Sequence, residues 1–156
     1  MAKVIVWTRP DGGVSVTIPV DSQGAGETEQ AWLNRIAAKA QADGAIPAGW
    51  TRAGDVDASS LPSSRQFRNS WQWSGSNIVQ DLTKAKTVLR DRLEEKFTTV
   101  FKRLQVERLK AEGDVPAVAA IDADLTAKRT LRASVRAQID AASTLAELRA
   151  INPTIA

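Results

Sequence analysis

One apolar stripe governs the second half of this chain. Leu82, Ala85, Leu89, Leu93, Phe97, Val100 or Phe101, and Leu104 recur at three- and four-residue intervals, the spacing that aligns side chains along one face of an α-helix, and Leu109 is read as continuing the stripe. Arg90, Asp91, Arg92, Glu94, Glu95 and Lys96 fall on the other faces. The pattern predicts a single helix from about Val79 to Glu112, roughly 50 Å long at about 1.5 Å of rise per residue. A helix of that length exceeds what a compact domain of this size needs, so it must find a partner along its length. Gly113 stops it, and Asp114-Val115-Pro116 starts another, with Asp114 as N-cap and proline in the first turn. The second stripe runs through Val118, Ile121, Leu125, Leu131, Val135 and Ile139. A short connection between helices of matched length implies an antiparallel helical hairpin. Thr144-Leu145-Ala146-Glu147 fits a capping box and opens a short final helix through Ala150, which Asn152-Pro153 closes.

The first half reads differently. Val4–Thr8 and Val14–Ile18 are β-rich runs joined by Arg9-Pro10-Asp11-Gly12-Gly13, where proline presets a turn and the glycines supply positive φ. Val14, Val16 and Ile18 alternate with Ser15 and Thr17, so the second strand buries one face. The first strand is apolar on both faces, which predicts cover on both. A lone two-stranded hairpin is only marginally stable, so it must lean on a helix, a third strand or a partner chain. Thr28 to Asp43 has helical spacing through Trp32, Leu33, Ile36, Ala37 and Ala40, and Gly44 ends it. Residues 45–75 are irregular, with Gly49-Trp50-Thr51-Arg52 as a candidate third short strand. The expected architecture is α+β. Residues 1–77 form an N-terminal unit of β-hairpin, one helix and a Trp-rich docking segment. Residues 78–156 form the helical hairpin with its short C-terminal helix.

Composition narrows the chemistry. Cysteine and histidine are both absent. That excludes disulfides, a thiolate nucleophile, the Ser-His-Asp triad and the usual zinc sites. No catalytic, cofactor or metal residue is assigned, and no enzyme activity is expected. The longest apolar run is too short for a transmembrane helix, and the four apolar residues before Arg9-Pro10-Asp11 do not make a signal peptide. A soluble, non-membrane protein is expected. The net charge is +3, but basic and acidic residues are interspersed, which argues against a nucleic-acid footprint.

Arg65-Gln66-Phe67-Arg68-Asn69-Ser70-Trp71-Gln72-Trp73 is the most distinctive local feature. It admits a stacking platform for nucleic acid, a protein-interface anchor, or simple anchoring of the irregular region onto the hairpin. Large aromatics are most often core, which favours anchoring. Trp71 and Trp73 share a face if this segment is extended. Gly24-Ala25-Gly26 before a helix lacks the rest of a phosphate-loop pattern and reads as a connector. Glu94-Glu95 and Asp122/Asp124 read as solvated helix charges rather than catalytic pairs. Phe97, Val100 and Phe101 are bulky and close together, and are candidates to face something other than the second helix.

The order Thr8-Arg9-Pro10-Asp11-Gly12-Gly13-Val14-Ser15, then Phe67-Arg68-Asn69-Ser70-Trp71, then Lys84-Ala85-Lys86 with Arg90 and Arg92, resembles a group of small tailed-bacteriophage proteins. They also end in a helical hairpin and a Leu-rich cap such as Thr144-Leu145-Ala146-Glu147-Leu148. The resemblance covers most of the chain outside residues 20–60. Its motifs are structural, so it carries over no active site. It implies a virion-associated structural protein of the tail, fibre or appendage, made in the bacterial host cytoplasm and located in the virion. Such a protein would bind other virion proteins, in several copies of a symmetric assembly. The helical C-terminal part also resembles phage tail-fibre assembly proteins, so the alternative is an assembly chaperone not retained in the particle. Trp7, Phe67, Arg68, Trp71, Trp73, Phe97 and Phe101 are the candidate partner-binding residues.

Overall fold

The computed structural model describes residues 2–155 and divides the chain into two compact units, Met1–Asp81 and Leu82–Ala156. The fold is α+β: strands in small antiparallel sheets and one helix come first, then a long helix pair and a short C-terminal helix.

In the first unit, strand β1 (Lys3–Thr8) pairs antiparallel with β2 (Val14–Thr17) and with β3 (Thr51–Asp57), giving the sheet order β2-β1-β3. The β1–β2 turn closes through Arg9 N–H to Gly13 O (2.8 Å) and Gly12 N–H to Arg9 O (2.9 Å). Gly12 takes φ 73°, the left-handed region that glycine enters without strain, and the Asp11 carboxylate accepts from Gly13 N–H at 2.8 Å. Alternation along β1 sends its side chains to opposite faces. Val4 and Val6 enter one cluster with Val14, Val56, Trp71 and Ile78. Ile5 and Trp7 enter another with Leu33, Ile36 and Ala37 of helix α1 (Glu29–Ala42). Both faces of β1 are therefore covered, one by the helix and one by the Trp-rich segment. Thr28 caps α1 through its hydroxyl to Ala31 N–H.

Three local expectations shift. The third strand runs Thr51–Asp57, later and longer than Gly49–Arg52, because it follows β1 along its whole length. Gly54, Arg52, Asp55 and Asp57 concealed it by breaking the apolar alternation. Val79 does not begin the long helix. It sits in β5 (Ile78–Gln80), paired antiparallel with β4 (Trp71–Trp73) so that Gln72 opposes Val79. The boundary between units accordingly falls at Asp81 rather than after residue 77. Ile18 lies beyond β2 and is exposed, because the strand pairing ends at Thr17.

In the second unit, α2 (Leu82–Lys110) and α3 (Val115–Ala141) are joined by a turn in which Gly113 takes φ 99°. Asp114 caps α3 through its carboxylate to Ala117 N–H. The pair is antiparallel: Arg90 meets Asp140, Glu94 meets Arg132 and Arg136, and Arg108 meets Asp122, so one number rises as the other falls. Ala85, Leu89, Leu93, Phe97, Val100 and Leu104 bury one face of α2, and Leu125, Val135 and Ile139 bury the facing side of α3. Each fully buried Leu, Val or Ile stabilises by about 1.5–3 kcal/mol relative to exposure. Helix α4 (Leu145–Ala150) starts with a complete Thr144/Glu147 capping box and buries Leu148. Leu109 does not continue the stripe. It lies about 140° around the helix from Leu104 at about 100° per residue, and is 68% exposed.

Candidate protein-binding surface

The structure separates the seven expected contact residues by burial. Trp7, Phe67, Trp71 and Phe97 are interior. These four rings are packed as anchors of the fold and present little surface of their own. Trp7 lies beneath α1 and donates from Nε1 to Thr17 Oγ1 at 2.9 Å. Trp71 fills the opposite side of the sheet. Phe97 stacks on Phe101 with ring centroids 6.2 Å apart.

The other three reach solvent to different degrees. Arg68 is exposed and sets its guanidinium 6.0 Å from the Trp71 ring centroid. Trp73 is half-buried on the same side of β4 as Trp71, as extended spacing requires, and its ring rests on the backbone of Gly54. A Cβ at Gly54 would stand 3.0 Å from Trp73 Cζ2, a tight approach that the half-buried ring would have to yield to by a few tenths of an ångström. Phe101 is half-buried beneath Arg132, whose guanidinium lies 5.9 Å from its ring. The two Phe rings are thus engaged inside the helical unit rather than held out from it.

The unclaimed surface lies on α3. Ala120, Ala123, Ala127, Thr130, Ser134, Ala137 and Ala141 recur at alternating three- and four-residue steps, and all are exposed. The intervening outward positions, Val115, Ala119, Thr126 and Ala133, are also uncharged and exposed. Four of the seven charged residues of α3 pair with α2, and Lys128 pairs with Asp124 on α3 itself. Asp122 pairs with Arg108, Arg132 and Arg136 with Glu94, and Asp140 with Arg90. A solvated helix normally carries its charges on the outside. Here they are on the inside and flanks, and the outer face is smooth. At its start stands Val115, 77% exposed.

Electrostatics explain why the inner side is so rich in charge. Glu94 takes Nε of both Arg132 (2.8 Å) and Arg136 (2.6 Å), and also Nη2 of Arg132. Those hydrogen bonds hold its carboxyl at about 2, against burial, which acts the other way. In the first unit, Arg35 and the Gly24 N–H lower Glu27 to about 2 by the same means. Asp122 is lowered by Arg108, and Glu147 by the Ser143 N–H and hydroxyl. Each shift belongs to an ion pair or a cap that ties elements together. Among the described residues, no three acidic side chains converge as a metal would require, and no helix is long and apolar enough to cross a membrane.

Comparison with known proteins finds no matching family model, curated protein or solved structure.

The α3 face escaped sequence reading because alanine is counted as an ordinary helix former. The signal was present: a three-four repeat of Ala, Ser and Thr with no charge on it, beside a hydrophobic stripe with charges on both flanks.

Proposed function

We propose that this chain is a non-enzymatic structural component of a bacteriophage particle (tail, fibre or appendage) that works by binding other virion proteins. The observation that carries the binding role is the charge-free outer face of α3, continuous with exposed Val115 at the hairpin turn. About 40 Å of helix lacks the charges that would normally hydrate it, at about 1.5 Å per residue. The phage assignment rests on the resemblance in Thr8–Ser15, Phe67–Trp71 and Thr144–Leu148. In this reading the N-terminal unit is a rigid platform, and the hairpin supplies the contact surface. Virion proteins are arranged symmetrically, so the chain is present in several copies. It is made in the host cytoplasm and ends in the particle.

The resemblance of the helical part to tail-fibre assembly proteins supports a second reading, an assembly chaperone that leaves before the particle is complete. Mass spectrometry on gradient-purified particles, from a lysate of the phage that encodes the chain, separates the two. A stoichiometric signal supports the structural component. Absence from particles, with abundant protein left in the lysate, overturns it in favour of the chaperone.

A further inference from the structure

We draw no further inference here: the strongest candidate, the smooth outer face of α3 with Val115 at the hairpin turn, is the surface already assigned to partner binding, and nothing in the structure shows what covers it.

Discussion

In the N-terminal unit, Trp7 and Trp71 lie against opposite faces of one sheet, and each is buried in a cluster of that unit's side chains. In the helical unit, the inner faces of α2 and α3 are also buried, yet the outer face of α3 is exposed and carries no charge. The contrast within the hairpin is sharper still. The outer face of α2 carries Asp91, Glu95 and Lys102, all exposed, as solvation demands. Two helices of similar length and packing therefore meet water on different terms. Residues chosen for stability are concentrated in the sheet, and residues left over from stability are concentrated on α3. A contact surface is better sought among the second group than among the largest aromatics.

The comparison breaks most readily at Trp71. Replacing it with alanine should cost the N-terminal unit about 3–5 kcal/mol, seen as an earlier denaturant transition in tryptophan fluorescence. An unchanged midpoint would mean that the ring is not the anchor described. Gly54→Ala should cost about 1 kcal/mol by pushing the half-buried Trp73 ring aside, and Gly54→Ala combined with Trp73→Leu should recover part of the loss. If the double variant is no more stable than the single, the contact is not the cause.

The α3 surface is tested by a pair of charges. Ala127→Glu on α3 and Thr98→Glu on α2 should each change stability by less than about 0.5 kcal/mol, as exposed substitutions do. Only the first should reduce incorporation into particles, by tenfold or more, equivalent to about 1.4 kcal/mol. Equal incorporation of both variants would remove α3 as the binding face.

The smallest effect concerns acid. Glu94 is held at about 2 against an ordinary 4.5, so its ion pairs stabilise the hairpin fully above about pH 4.5. That contribution is lost as pH falls from 4.5 toward 2. Glu94→Gln should flatten this slope for the helical signal in far-ultraviolet circular dichroism. An unaltered slope would place the acid sensitivity elsewhere.

Much of the fold was legible because it depends on period and punctuation. Asp114, Gly113 and the Thr144–Glu147 box mark helix ends by satisfying or releasing backbone groups, and those requirements are local. β3 was only partly legible. Its residues Arg52, Gly54 and Asp55 do not look like a strand, and they form one because β1 offers backbone groups that pair with them along its whole length. β5 was lost inside the helical period, since Ile78 and Val79 satisfy either pattern until the pairing with Trp71–Trp73 decides. Candidate contact residues were chosen for size, and size is what drives burial. Arg68, Trp73 and Phe101 keep some exposure, while Trp7, Phe67, Trp71 and Phe97 have none to speak of.

The position of β1 at the centre of its sheet has a consequence for the order of events during folding. Its partner β3 lies some fifty residues downstream, with Lys3 opposite Asp57, and its second cover, Trp71, lies further still. Such non-local closure is slow, whereas a hairpin joined by a four-residue turn forms from near neighbours. Helical signal should therefore appear before tryptophan fluorescence, all of it from residues of the N-terminal unit, reaches its native value in stopped-flow refolding. The strand that precedes both of its covers in the chain must wait for them, and until Trp71 arrives, Val4 and Val6 stand open to any other unpaired strand nearby.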